Sequence, residues 1–346
     1  MNPHAKLISI ISITLGSSIT MSSNHWILAW AGLEINTLAT IPLISKHHHP
    51  RAVEASIKYF LVQASASALM LFSSMINAWS TGQWDITQLT SPTASLMLTS
   101  AIAMKLGLVP FHFWFPEVLQ GSSLTTALIL STVIKLPPLT ILVLTSPSLN
   151  STLLTFIAIT STAFGGWLGL NQTQIRKVMA FSSISHLGWI AAIIIYDPKL
   201  SILTFYLYIL ITSPVFLFMN TIKTTNLSTL LTSWTKSPTT NASLMLALLS
   251  LAGLPPLSGF LPKWMILQEL TIQEMTPLAF TISMLSLLGL FFYLRLAYHA
   301  TITMPPNSSN YMKVWYTNNH TNAITAILTS LSITILPISP MVISML

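Results

Sequence analysis

The chain has 346 residues, of which 52% are hydrophobic and only 6% charged, and its mean hydropathy is +0.71. So few charges cannot build a water-facing surface, so a soluble fold is excluded and the chain belongs in a bilayer. It has no cysteine, which removes disulfides, thiolate metal sites and cysteine-bound iron–sulfur clusters, and its 14 basic against 7 acidic residues read as membrane topology rather than as a nucleic-acid footprint.

In chain order the apolar stretches predict helices over 3–22, 25–45, 57–79, 93–116, 123–145, 151–170, 177–196, 200–222, 242–268, 277–300 and 323–345. Most are about 20 residues, the length that crosses roughly 30 Å of hydrocarbon at about 1.5 Å per residue. The predicted class is an all-α polytopic membrane protein of about eleven spans. The connectors near 223–241 and 301–322 are rich in Ser, Thr and Asn. TGQWDITQL near 82–89 is expected along the interface, with Trp84 as its anchor. MNPHAKLISIISITLG carries one lysine and no small-residue cleavage site, so it reads as the first helix rather than as a signal or transit peptide.

Eleven spans put the N-terminus and the even-numbered connections on one side. Lys6, Lys46, Arg51, Lys58, Arg176, Lys177, Lys223, Lys236, Arg295 and Lys313 lie in or beside them. The other side holds Lys199 alone, with Asp85, Asp197, Glu269 and Glu274. That ten-to-one bias is the pattern expected when basic loops stay on the side from which helices insert.

Two of the predicted helices contain their own interruption. Gly107, Pro110 and Pro116 form G-L-x-P-x5-P, and Gly253, Pro256 and Pro262 repeat it 146 residues later. An internal proline removes a backbone hydrogen bond and clashes with the preceding turn, so the fourth and ninth helices are expected to break in mid-membrane. Five helices apart, the two breaks would run in opposite directions. The expected organisation is a five-helix repeat over 1–145, an inverted copy over 151–300, and a connector with a last helix over 301–346. Broken helices in corresponding places point to a transport site.

Charges inside the spans carry the chemistry. Glu34, Lys105 and Lys135 all fall deep in predicted helices, where an ionised side chain costs about 2.5–3.5 kcal/mol and usually faces a partner or a watery cavity. Lys263 lies five residues before the end of the ninth predicted helix, so depth alone leaves a snorkelling lysine and a functional one both open. A lysine in low dielectric can switch between ammonium and amine, and a glutamate can donate and accept, which is the chemistry of a proton relay. The alternative is a buried Glu–Lys pair that locks helices together. Against it, one glutamate cannot neutralise three lysines. His112, inside the first break, and His186, in AFSSISHLGW on one face with Ser182, Ser185 and Trp189, are second-rank relay members. His47, His48 and His49 read as a solvated basic loop rather than a metal site, because consecutive residues do not share a helix face. No G-x-G-x-x-G, P-loop, G-x-S-x-G or H-E-x-x-H occurs, so no nucleotide, flavin or quinone chemistry is assigned here. Sequons at Asn171 and Asn307 read as chance products of a Ser/Thr-rich chain.

KLGLVPFHFWFPEVLQGSSLTTALILSTVIKLPP, RKVMAFSSISHLGW and LAGLPPLSGFLPKW, with ISKHHHPRAVEASIKYFLVQASAS before them, resemble in order the signature segments of the antiporter-like membrane subunits of respiratory complex I. The resemblance covers the whole chain, in a form lacking three N-terminal helices of the bacterial counterpart, whose loss implies a groove covered by accessory proteins or lipid. It implies proton translocation across the mitochondrial inner membrane, coupled to NADH oxidation and ubiquinone reduction elsewhere, with the N-terminus in the matrix and the C-terminus in the intermembrane space. Residue by residue it places the family's essential glutamate on Glu34, its broken-helix lysine on Lys105, the next central lysine on Lys135, and the lysine of the second broken helix on Lys263. No cofactor or metal is expected on this chain, while FMN, iron–sulfur clusters and ubiquinone are expected in other subunits. Expected partners are neighbouring antiporter-like and small core subunits, accessory subunits and phospholipid including cardiolipin. A free-standing cation/proton antiporter and a structural scaffold are the competing readings.

Overall fold

The computed structural model describes residues 3–46, 49–234, 237–302 and 323–343. His47, His48, Lys236, Asn307 and Lys313, named above, lie outside the described residues. Among the described residues the chain is helical, with no β-strand: α1 (Pro3–Ser22), α2 (Trp26–Ile44), α3 (Pro50–Thr81), α4 (Pro92–Leu106), α5 (Trp114–Gly121), α6 (Leu124–Ser131), α7 (Leu136–Leu144), α8 (Ser151–Gly169), α9 (Ile175–Ile193), α10 (Pro198–Ile222), α11 (Leu227–Ser233), α12 (Pro238–Ala252), α13 (Phe260–Ile272), α14 (Thr276–Ile302) and α15 (Ala323–Ile343). Eight stretches of the described residues are long and apolar enough to cross a membrane. The broken pairs α4/α5 and α12/α13 fall outside that set because each half is too short to span alone. α9 has the length, but Arg176, Lys177, His186 and three serines lower its hydropathy.

The chain divides into two compact units, one of Met1–Ser161 with Ile190–Ser201, the other of Thr162–Trp189 with Ile202–Leu346. In the first, α1 and α2 cross at Gly16 and Gly32. A Cβ at either glycine would sit 2.8 Å from the other's carbonyl oxygen, so only glycine permits this approach. α3 starts seven residues earlier than 57, at Pro50, because His49 caps it by accepting from Arg51 N–H at 3.3 Å and Pro50 takes the first helical position. Arg51 and Glu54 therefore stand on the helix rather than in a loop. At the other end Gly82 closes α3 in a left-handed conformation, φ 74°.

The 82–91 connector is held by the protein's own backbone. Trp26 N–H donates to Trp84 O at 3.1 Å and Ile86 N–H to Asn24 O at 3.0 Å, while Trp84 stacks on His25 at 5.8 Å. Asn77 donates to Gln88 O and accepts from Thr90 N–H, fixing the return into α4. In the second unit α8 passes α9 at Gly165, where a Cβ would lie 2.8 Å from Ser185 N and 2.9 Å from Phe181 O. Serine and threonine hydroxyls along most helices donate to the carbonyl one turn back, as Ser73 does to Met70 O and Ser182 to Met179 O. Polar side chains thus sit in an apolar medium with their hydrogen bonds satisfied within the helix.

Candidate functional site: two interrupted helices and the charges at their ends

Both interruptions are opened by glycine, a refinement of the proline argument. α4 stops at Leu106 and Gly107 turns left-handed, φ 74°, with Gly107 N–H donating to Met104 O and Leu108 N–H to Ala103 O. This pair of bonds is the Schellman closure of a helix end. α12 stops at Ala252, Gly253 has φ 82°, and Gly253 N–H donates to Ser250 O. Pro110 and Pro256 lie inside the gaps, 107–113 and 253–259, which are equal in length, whereas Pro116 and Pro262 stand in the first turns of α5 and α13. The prolines in the gaps prevent the helix from resuming, and the glycines supply the turn.

At the first break Lys105 stands on the last turn of α4, where a cation meets the negative end of the helix dipole. It is 4% exposed and its Nζ has no hydrogen-bond partner. Glu34, on α2, is near enough to act on it electrostatically, and one Glu34 carboxylate oxygen is likewise buried and unpartnered. The two do not form an ion pair. By contrast Lys58 forms ion pairs with Glu54 and with Glu117. The carbonyls that α4 frees are met by side chains: Trp114 Nε1 donates to Met104 O at 3.2 Å and Gln63 Nε2 to Lys105 O at 3.5 Å. His112 is buried in the gap, its ring 4.2 Å from that of Phe113.

Lys135 does not sit in a continuous helix. The stretch predicted over 123–145 is interrupted between α6 and α7 by a 3-10 turn, Val133–Lys135, that follows Thr132 at φ −116°, ψ −75°. Pro137 and Pro138 are the cause, since neither has an N–H to donate back to Val133 or Ile134. Lys135 is 2% exposed and its Nζ lies 4.0 Å over the Phe115 ring, a cation–π contact. Phe115 meets Trp114 edge-on at 5.4 Å, and Trp114 meets Tyr59 edge-on at 5.7 Å, so an aromatic wall runs from the end of α4 to Lys135.

In the second unit Lys263 is in the first turn of α13, the positive end of its own helix. Its side chain turns back, and Nζ donates to Ala252 O at 2.8 Å, capping the end of α12. This settles the direction that sequence left open: α13 continues to Ile272, and the ammonium points into the break rather than out to the interface. Lys263 borders a cavity of about 20 Å³, room for a water, together with His186, Ser185, Thr162 and Tyr293. His186 also packs on Tyr208, ring centroids 5.5 Å apart. The structure thus groups Glu34 with Lys105, Lys135 with Phe115, and Lys263 with His186. No cluster of three or more metal-ligating side chains occurs among the described residues.

Sequence reasoning missed Gln63, Trp114 and Phe115 because each acts across the fold. Their signal was weak, a glutamine inside an apolar span and an aromatic run after a broken helix.

The profile described as "NADH:quinone oxidoreductase/Mrp antiporter, TM" matches residues 23–289, and the one described as "NADH dehydrogenase subunit 2 C-terminus" matches 290–343. The chain is 74% identical over 346 residues to NADH-ubiquinone oxidoreductase chain 2 of Struthio camelus and 72% identical over 346 residues to that of Gallus gallus, covering 100% of both chains in each case. Its fold is similar to a chain of respiratory complex I from Thermus thermophilus, with TM-score 0.84, 24% identity, 97% of this chain and 80% of that one covered. It is also similar to a chain of the Mrp complex from Dietzia sp. DQ12-45-1b, with TM-score 0.80, 16% identity, 96% and 75% covered. Two interrupted helices, one broken at Gly107 and the other at Gly253, with a lysine at each break, sit within these matches, and the chain belongs to the NADH-ubiquinone oxidoreductase chain 2 family.

Proposed function

We propose that the chain is a membrane-arm subunit of respiratory complex I in the mitochondrial inner membrane and that it moves protons through Glu34, Lys105, Lys135 and Lys263, with His112 and His186 assisting. The observation that carries this is the placement of two lysines at the interrupted helices, Lys105 buried on the last turn of α4 with its Nζ unpartnered and Lys263 with its Nζ on Ala252 O at the end of α12. Glu34 holds Lys105 as the ammonium when the two are close, and their separation lets the lysine release its proton. Lys135 and Lys263 pass it on. Redox chemistry belongs to other subunits carrying FMN, iron–sulfur clusters and ubiquinone, and neighbouring core and accessory subunits and phospholipid, cardiolipin included, border this one.

The fold that serves this is eleven crossings, counting each broken pair and α9 as one span, with repeats over 1–145 and 151–300 inverted relative to one another. The odd count puts the N-terminus in the matrix and the C-terminus in the intermembrane space, as the basic bias requires. Near-identity in length and 74% identity to a complex I chain favour this reading over a free-standing antiporter.

The test is proton yield per NADH in reconstituted complex. Lys105→Met keeps the apolar stem and deletes the titrating group, so the complex assembles and pumping drops. Lys105→Arg also fails, because a guanidinium does not deprotonate at working pH. Parental proton yield in either assembled variant makes Lys105 a structural charge.

A further inference from the structure

α5 has eight residues and is separated from α4 by the whole gap 107–113, so neither its own length nor chain continuity fixes where it stands relative to Lys105. α3 runs unbroken alongside both halves. On one of its faces, Arg51, Ala55, Tyr59 and Gln63 recur every fourth residue. Read along that face, α3 touches the broken helix at successive heights. A Cβ on Gly121, the last residue of α5, would lie 2.6 Å from both Ala55 Cβ and Arg51 O. Lys58, one position off that face, sets its ammonium 2.5 Å from Glu117 Oε2 in the first turn of α5 and 2.5 Å from Glu54 Oε1 on its own helix. Tyr59 meets the ring of Trp114, the residue that opens α5. Gln63, 3% exposed, donates to the carbonyl of Lys105 itself.

We propose that α3 is a splint that holds α5 in register with the end of α4, and that Lys58 and Gln63 are positioning residues for Lys105. The reasoning rests on the reading of Lys105 as a proton carrier. Lys105 Nζ has no partner of its own, so its distance from Glu34 is set by the path of the last turn of α4, and Gln63 is the side chain that holds that turn's Lys105 carbonyl. Lys58 acts from the other half. One ammonium bridges two carboxylates, and without it Glu117 loses its link to α3 and faces Glu54, which keeps only the nearby Arg51, so the hold of α3 on α5 loosens. α5 carries Trp114 and Phe115, so its displacement pulls the indole from Met104 O and the ring from beneath Lys135.

The experiment compares Gln63→Leu, Lys58→Met and Lys58→Arg with the parent in assembled complex, measuring protons per NADH as a function of pH. Gln63→Leu and Lys58→Met are expected to assemble and to move the pH midpoint of pumping by about one unit. Lys58→Arg is expected to restore the parental profile, because a guanidinium also bridges two carboxylates. Parental profiles for both Gln63→Leu and Lys58→Met overturn the splint. So does failure of all three variants to assemble, which would make the contact architectural only. Should Gln63→Leu alone fail to assemble, Gln63→Asn and Lys58→Met carry the test. Lys105→Met run alongside separates the two readings: if it loses pumping while the α3 variants match the parent, the relay stands and the splint falls. If it pumps normally, the relay falls whatever the α3 variants do.

Discussion

Replacing Gly253 by alanine isolates what the second break does for Lys263. The backbone there has φ 82°, a left-handed conformation that costs an L-residue with a Cβ about 1–2 kcal/mol. The added Cβ would also lie 2.8 Å from Lys263 Nζ and 3.0 Å from its Cδ and Cε. That side chain is flexible, so the collision is relieved by moving the lysine, and the ammonium leaves Ala252 O. A hydrogen bond to a charged group contributes about 1.5–3 kcal/mol, which lowers occupancy of the capped position about tenfold or more. Gly107 supplies the control. Its φ is 74°, so alanine there meets the same backbone strain, but the nearest atoms to its Cβ are Phe115 Cβ and Trp114 Cζ2 at 3.5 Å, ordinary contacts. Both variants should lower the thermal stability of the assembled complex by similar amounts, and Gly253→Ala should lower protons per NADH further than Gly107→Ala, because it also displaces the Lys263 side chain. Equal proton yields from the two variants would refute the assignment of Lys263 to the break.

Gly259→Ala is expected to abolish assembly, measured by native electrophoresis, because its Cβ would fall 1.7 Å from Ser250 O and backbone cannot yield there. Phe115→Leu removes the cation–π contact beneath Lys135, about 0.5–2 kcal/mol, and should lower proton yield severalfold in assembled complex while quinone reduction persists in the uncoupled enzyme; an unchanged yield would exclude that contact from the relay. Labelling of single cysteines near the two termini in mitoplasts should place them on opposite sides of the membrane, and labels on one side would refute the odd number of crossings.

The repeat of G-L-x-P-x5-P makes the two breaks legible in the sequence, since glycine and proline act through local backbone rules that spacing alone exposes. Depth counting likewise found Glu34, Lys105 and Lys135, because an ionised side chain in a long apolar run is conspicuous. It could not orient Lys263, whose acceptor is eleven residues away across a gap. Nor could it see the turn at Lys135, where the apolar run continues unbroken and only Pro137 and Pro138 signal a change of helix type. Gln63 lies 42 residues from the carbonyl it serves. Such a pairing has no period in the sequence. Hydropathy starts α3 at 57 because Arg51 and Glu54 look like a loop to it, whereas His49 and Pro50 form a good cap.

Ser258, in the second gap, donates its hydroxyl hydrogen to the carbonyl of Ser332 on α15, and both residues are fully buried. Pro337 lies five residues further on and cannot return a hydrogen bond to Ile333, so the backbone of α15 is least committed to its own ladder beside the point where Ser258 reaches it. A premature stop in this chain should therefore have a threshold rather than a gradual effect. Loss of the residues after Pro337 would shorten a peripheral helix, while a stop before Ser332 would take away the acceptor that closes the loop leading into Lys263.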